Sequence, residues 1–481
     1  MRSPLANENL HRDPTCPADD KGLSGIHPLA NARDSFAVRV LFARMAKHTL
    51  DVQYYIWHKD TTGLLLLSEL LSAARRGVHV RLLLDDNGIA GLDAYLSALN
   101  EHPNIEVRLF NPFAQRRHKW LGYLTDFSRV NRRMHNKAFV MDNRMAIIGG
   151  RNIGDEYFAA THDVLFADLD MMIAGDVIKE LSTSFNRYWT SQPACPIEQI
   201  IRQRGTDALN QLNEAVQGIF SRPDAEIKAY LDTLQKSVLI HQMMTNTLDL
   251  EWTHVRMVCD DPVKSLGKAD DNKLVITQLQ SIFENAKRSI TLVSPYFVPT
   301  ATGTHTLRKL ADQGLQIRIL TNSHGATDVL PVHAGYNKWR KKLLKSNIKL
   351  YEMKRLADIE YHQRIGRLGS SGSSLHAKTF AVDGERIFVG SFNFDPRSAK
   401  LNTELGFIID SSTLSSQLDS LFNRVIPNAA YEIQINAAGR LSWLERLDDD
   451  HQRRHRTEPD SSFFQRLVVR LLGMLPIDWL L

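Results

Sequence analysis

The sequence predicts an α/β protein of two pseudo-symmetric lobes, each a mixed sheet flanked by helices. Three observations carry this. Strand-like and helix-like runs alternate along most of the chain. The alternation occurs twice. The second occurrence reproduces the first at constant spacing: MHNKAFVMDNRMAIIGGRN (134–152) and LHAKTFAVDGERIFVGSFN (375–393) share H-x-K-x4-D-x6-G-[GS]-x-N, with His376 standing 241 residues after His135 and Asn393 241 after Asn152.

The flanks repeat as well. TLDVQYYIW (49–57) matches SITLVSPYFV (289–298), and Tyr55 to Tyr296 is again 241 residues. RRGVHVRLLLDD (75–86) matches DQGLQIRILTNS (312–323). Each lobe therefore reads as a strand, a helical stretch (64–76; 302–313), a second strand, and the motif. Between them, residues 177–250 carry helical periodicity, as in IEQIIRQRG and EIKAYLDTLQKSVLIHQMM, punctuated by Pro193, Pro196 and Pro223. The expected organisation is a polar lead-in over 1–35, a first lobe over 36–190, a helical insertion over 191–252, a second lobe over 253–428, and a C-terminal extension over 429–481. Residues 430–460 read as polar, with an acidic cluster at Asp448–Asp450.

Within each motif the apolar residues suggest a short strand, closed by a turn at Asp142-Asn143 and at Asp383-Gly384. Residues i and i+2 of a strand share a face, so His135 pairs with Lys137 and His376 with Lys378. An imidazole beside a fixed cation suits an anionic substrate: lysine neutralises non-bridging phosphate oxygens, while histidine attacks phosphorus or moves a proton. Gly150 and Asn152, with Ser391 and Asn393, supply small residues and amide donors for a phosphate. Two copies permit one histidine to act as nucleophile and the other as general acid, and we take His135 as the nucleophile. A buried carboxylate on each ring's other nitrogen would fix the tautomer. Asp168 and Glu404 follow their motifs and are the candidates, with Asp170 a rival to Asp168. Asp142 and Asp383 belong to the motif set but sit at turns, and are expected to hold the turn and the lysine.

A lone H-x-K-x4-D would more often be an ordinary surface strand. Two copies, each trailed by G-[GS]-x-N at the same distance, are not coincidence. The motif resembles that of the phospholipase D superfamily, and the likeness spans roughly residues 36–425. RGVHVRLLLDDNG, DFSRVNRRMHNK, GGRNIGDEYF, TNSHGATDV, VHAGYNKWRKKLLK and GSFNFDPRSAKLNTE resemble bacterial cardiolipin synthases of the C type. The resemblance implies two phospholipase D-like lobes whose motifs meet at one site, a phosphohistidine intermediate, no metal, no cofactor, and transfer of a phosphatidyl group to phosphatidylglycerol. The resemblance leaves the donor open between phosphatidylglycerol and phosphatidylethanolamine, and leaves open whether a helper protein takes part. No P-loop or dinucleotide fingerprint accompanies the motif.

Composition bounds the rest. Hydrophobic residues make up 43% and charged residues 23%, which excludes disordered, collagenous and coiled-coil chains. The formal charge of +5 is too small for a dedicated nucleic-acid binder but suits an anionic membrane surface. Cys16, Cys195 and Cys259 lie far apart, against a disulfide framework or a zinc site. No window of 18 uninterrupted apolar residues occurs, and residues 1–35 lack a signal-peptide core. Together with the resemblance, this implies a peripheral location, expected on the cytoplasmic face of the bacterial inner membrane.

Residues 462–475 place Phe463, Phe464, Leu467, Val468, Leu471, Leu472 and Leu475 on one helical face and Arg466 and Arg470 on the other, with Pro476 and Trp479 following. The basic stretches Arg116–Trp120, Arg132-Arg133 and Lys338–Lys342 are further candidates for lipid phosphates. Tyr55 and Tyr296 are candidates to line the site. Rival functions are a hydrolytic phospholipase D or another phosphatidyltransferase, a nuclease, and a non-catalytic membrane scaffold.

Overall fold

The computed structural model describes residues 22–116, 118–158, 168–201, 207–221, 237–327, 329–355, 375–447 and 451–475. Most of the lead-in, Arg117, the stretch 222–236, Asp448–Asp450, Pro476 and Trp479 lie outside the described residues. The chain divides into two compact units. One comprises Met1–Leu165, Leu169–Ala269 and Thr403–Phe407; the other comprises Phe166–Asp168, Asp270–Asn402 and Ile408–Leu481. Each unit thus takes one short segment from the opposite half of the sequence.

The first unit is built on a nine-stranded mixed sheet. Its strands are β1 (Ser24–Leu29), β2 (Thr49–Ile56), β3 (His79–Gly88), β4 (Ile105–Phe110), β5 (Ala138–Met141), β6 (Met145–Gly149), β7 (Asp170–Gly175), β8 (Ala194–Pro196) and β9 (Glu251–Thr253), in the order β8-β4-β3-β2-β5-β6-β7-β1-β9. β2, β3 and β4 run parallel, joined by α1 (Thr61–Arg75) and α2 (Asp93–Leu99), while β5 and β6 form an antiparallel hairpin. α1 starts where the Asp60 side chain accepts from the Gly63 N–H, and its LLLL run packs into the core with Val52, Leu82 and Phe139. The segment expected as a separate helical insertion belongs to this unit: Ala208, Leu212 and Ile219 of α3 (Ala208–Ser221) are buried in the same core. The lead-in is also shorter than expected, because β1 pairs with both β7 and β9.

In the second unit, eight consecutive sheet strands are β11 (Ser289–Val293), β12 (Gln316–Asn322), β13 (Lys349–Met353), β14 (Thr379–Val382), β15 (Arg386–Gly390), β17 (Ala430–Ile435), β18 (Leu441–Arg446) and β19 (Gln452–His455), numbered after β10 (Val255–Cys259) and with β16 at Leu405–Asp410. Their order is β15-β14-β11-β12-β13-β17-β18-β19. The crossover from β11 to the parallel β12 is α4 (Thr300–Asp312). β17, β18 and β19 are therefore part of the sheet, where a polar extension was expected. Their polar character suits outer strands with exposed charged side chains, as in QRRH of β19.

Both hairpin turns form as the sequence predicts. Asp142 and Asn143 have φ of 51° and 53°, and Asp383 and Gly384 have 58° and 69°, the double left-handed pair that matches strand twist. The motif histidines and lysines differ from expectation in one respect. They lie on the chain just ahead of β5 and β14, not within the strands.

Candidate functional site

In the first unit, the approach to His135 is fixed by β3. The Asp85 carboxylate at its end accepts the Met134 N–H at 2.8 Å and pairs with the Arg133 guanidinium at 3.1 Å. Burial pushes the Asp85 carboxyl up to about 6, against the pull of Arg133 and of the Asn87 and Met134 N–H groups. The His135 N–H donates to the Thr403 carbonyl and the Thr403 N–H to the Arg133 carbonyl, each at 2.9 Å. Thr403 Oγ1 also donates to Asn136 Oδ1 at 2.7 Å. The next residue, Glu404, is consequently delivered to the ring: His135 Nδ1 lies 2.9 Å from Glu404 Oε2. Asp260 completes the support. It accepts the Glu404 N–H at 3.0 Å and the buried Lys264 ammonium at 2.7 Å. Lys137 turns back to donate to the His135 carbonyl at 2.6 Å. The Tyr55 ring meets His135 edge-on at 5.0 Å, so Tyr55 lies at the site.

The second unit repeats the construction. His376 Nδ1 lies 2.5 Å from Asp168 Oδ2, Lys378 donates to the His376 carbonyl, and Asn322 Nδ2 donates to the Leu375 carbonyl at 3.1 Å. The carboxylates are exchanged between repeats: the acid after the second motif serves the first histidine, and the acid after the first motif serves the second. Tyr296 packs with Val298 and Val332.

Asp170, the rival acid, is engaged elsewhere. It is fully buried in β7, where it pairs with Arg39 at 2.8 Å and accepts from Ser35 Oγ at 2.7 Å. It also explains Gly149, at φ +153°, where a Cβ would stand 2.2 Å from Asp170 Oδ1.

The motif aspartates are anchoring groups in this geometry. Asp142 accepts from the N–H groups of Lys47, His48 and Thr49, and Asp383 from those of Lys287, Arg288 and Ser289. Each ties its hairpin to the start of the neighbouring strand. β5 runs antiparallel to β2, so Asp142 lies at the far end of the strand from His135, about 20 Å away at 3.3 Å per residue. Neither carboxylate bonds its motif lysine in this arrangement; each lysine instead holds its histidine's carbonyl.

Of the small and amide residues, the Gly150 N–H donates to the Leu169 carbonyl at 3.3 Å and Asn152 Oδ1 accepts from the Ile56 N–H at 3.3 Å. Ser391 is fully buried, and Asn393 Oδ1 is buried without a hydrogen-bond partner among the described residues. Several basic side chains expected to face lipid point inward. Arg116 pairs with Asp86 and Asp93, Lys119 with Asp86 at 3.1 Å, and Arg340 with Glu352 at 3.0 Å and with Glu458.

Among the described residues, one group has metal-ligand spacing: His58, Asp60 and Glu156, with ligand atoms within 4.8 Å of one another. Both Asp60 oxygens already accept hydrogen bonds, from Gly63, Thr62 and Asp155. The cluster is accounted for as a helix cap. Sequence reasoning missed Asp85, Asp260, Lys264 and Thr403. The paired carboxylates ending LLLDD were a usable signal for Asp85; nothing local marks Asp260.

Duplicated α/β lobes, each with an H-x-K segment leading into a hairpin, define a phospholipase D-like protein. The chain belongs to the PLD-like cardiolipin synthase family, whose model, described as "Cardiolipin synthase, PLD-like domain", matches residues 42–189 and again 279–426. It is 45% identical to cardiolipin synthase C of Escherichia coli (strain K12) over 97% of this chain and 98% of that protein. It is 26% identical to a cardiolipin synthase of Alkalihalophilus pseudofirmus over 78% of this chain and 61% of that one. Among solved structures, phosphatidylserine synthase of Haemophilus influenzae Rd KW20 superposes with a TM-score of 0.59 over 95% of both chains at 14% identity, a likeness of fold.

Proposed function

We propose that this protein is a cardiolipin synthase that transfers a phosphatidyl group to phosphatidylglycerol through a phosphohistidine. The near-full-length similarity to a protein named cardiolipin synthase C carries the reading. The histidine geometry supplies its chemistry. With Nδ1 bonded to Glu404, His135 offers Nε2 to phosphorus. Nε2 attacks the phosphodiester of a donor phospholipid, the bond from phosphorus to the head-group oxygen breaks, and that oxygen takes a proton from His376. A terminal glycerol hydroxyl of phosphatidylglycerol then gives its proton to His376 and attacks phosphorus, and the N–P bond breaks. Both ends of the exchange are phosphodiesters, so no nucleotide is required.

Lys137 and Lys378 neutralise the non-bridging oxygens, and Gly150, Asn152, Ser391 and Asn393 complete the phosphate contact. Asp168 and Glu404 orient the rings, and Asp142 and Asp383 position the hairpins. The His135 side chain is 9% exposed and that of His376 24%. The more enclosed ring suits the covalent intermediate, because shielding from water favours transfer over hydrolysis.

No helix among the described residues is long and apolar enough to cross a membrane. The reading places the protein peripherally, on the cytoplasmic face of the inner membrane, acting on lipid and not on nucleic acid. Incubation of the purified protein with phosphatidylglycerol, with and without phosphatidylethanolamine, followed by mass analysis of the lipids, tests it. Cardiolipin with released glycerol or ethanolamine is expected. Phosphatidic acid alone assigns a hydrolase, and no turnover assigns a scaffold.

A further inference from the structure

We infer that the C-terminal helix Phe463–Met474 is the surface through which the second unit binds an anionic phospholipid bilayer. The inference rests on the lipid substrate proposed above, and it names the docking face.

The helix is bound to its unit by one side only. Val469 is 3% exposed and the helix packs against Leu330–Asn337, with Gly473 beside the Ala334 carbonyl. The rest of the apolar surface faces outward. Phe463, Phe464, Leu467, Val468, Leu471 and Met474 are all exposed, Leu467 by 42% and Leu471 by 55%. A contiguous apolar face of this kind on a single helix marks an interaction surface.

The helix is also held in place before any partner arrives. Ser462 and Gln465 form a reciprocal capping box. Arg466 donates to the Ser461 carbonyl at 2.5 Å. Just upstream, Glu458 is buried against His333 at 2.7 Å and against Arg340, and Asp460 accepts from Tyr431 at 3.0 Å.

Charge selects the occupant. No acidic residue occurs from Ser461 to Leu475. Arg470 is exposed on the helix, Lys338 donates to the Leu475 carbonyl at 3.3 Å, and the exposed Lys341 and Lys342 follow on the same unit. An apolar face with a cationic rim and no anion fits anionic head groups over acyl chains, whereas two copies would bring like charges together. Twelve residues span about 18 Å, short of the roughly 30 Å hydrocarbon layer, so the helix lies in the interface plane.

The test uses the full chain with vesicles of phosphatidylglycerol and phosphatidylcholine. The double variant Leu467→Asp/Leu471→Asp is expected to bind vesicles at least tenfold more weakly. Its melting temperature and its cardiolipin yield in detergent mixed micelles should stay those of the wild type. Should that variant fail to fold, Phe464→Trp decides: its fluorescence is expected to shift blue on vesicles and to be quenched by brominated acyl chains. Unchanged vesicle binding by a folded double variant, or no quenching, overturns the inference. So does a wild-type dimer that the double variant converts to monomers still binding vesicles, which assigns the face to a second copy. Absence of cardiolipin from wild type in micelles sinks the enzymatic reading alone, since vesicle binding through this helix is read separately.

Discussion

His135 Nδ1 lies 2.9 Å from Glu404 Oε2, a carboxylate that arrives 269 residues later in the chain and is itself fully buried. The bond leaves Nε2 as the reactive nitrogen and provides a fixed counter-charge when the ring is cationic. Glu404→Gln is expected to lower transfer about 10²–10⁴-fold with little change in melting temperature. A shifted pH–rate profile distinguishes loss of positioning from loss of fold. An unaltered profile at wild-type rate would remove Glu404 from the mechanism.

Asp168 and Asp170 should separate cleanly. Asp168→Asn acts on His376 and is expected to cost activity at nearly wild-type stability. Asp170→Asn leaves Arg39 buried without its ionic partner and should cost about 3–5 kcal/mol of stability. Chemical denaturation paired with activity per folded molecule resolves the two.

Asp142→Ala and Asp383→Ala each remove an acceptor for three backbone N–H groups. We expect a loss of about 1.5 kcal/mol apiece, with activity per folded molecule retained within tenfold. Although partial burial raises it, the Ser289, Arg288 and Lys287 N–H groups hold the Asp383 carboxyl below the usual range. A depressed folded value means that its stabilisation is present above the ordinary carboxylate pKa and lost as pH falls through the folded value. The gap between wild type and Asp383→Ala, read from urea midpoints, should therefore be full at pH 7 and shrink at strongly acidic pH. A gap independent of pH would contradict the assignment.

The repeat, the crossover helices and both hairpin turns were legible in the sequence, as were Glu404 and, with Asp170 as a rival, Asp168 as the acids that contact the motif histidines. Which acid meets which histidine was not. Local periodicity reports a residue's own strand, whereas the exchange of Asp168 and Thr403–Phe407 between units depends on contacts made hundreds of residues apart. The edge strand Gln452–His455 was hidden for another reason: it keeps polar side chains in water and lacks the apolar alternation that identifies a core strand, whereas AYEIQI of Ala430–Ile435 does alternate and was a usable signal. β1, SGIHPL, carries a glycine and a proline that read as loop.

Cys259 lies beside the site's support, with Sγ 3.3 Å from Ser184 Oγ and 3.5 Å from Asn136 Nδ2. Burial pushes its thiol up to about 12 from an ordinary 9.0. It should alkylate slowly in the native protein at neutral pH, because the thiol stays protonated. A raised folded value means that its contribution is complete below the unfolded pKa and lost as pH rises through the folded one. Stability should accordingly decline between about pH 9 and 12, and less so in Cys259→Ala. Rapid native alkylation would contradict this.

The central claim is covalent transfer through a histidine held by a carboxylate, and trapping the intermediate tests it most directly. Acid-free quenching during turnover of phosphatidylglycerol, followed by proteolysis and peptide mass analysis, should find phosphatidyl-histidine at residue 135. It should be absent from His135→Ala and strongly reduced in His376→Ala, where no group protonates the departing head-group oxygen. An adduct on residue 376 would reverse the division of labour, and turnover with no histidine adduct at either position would contradict the account.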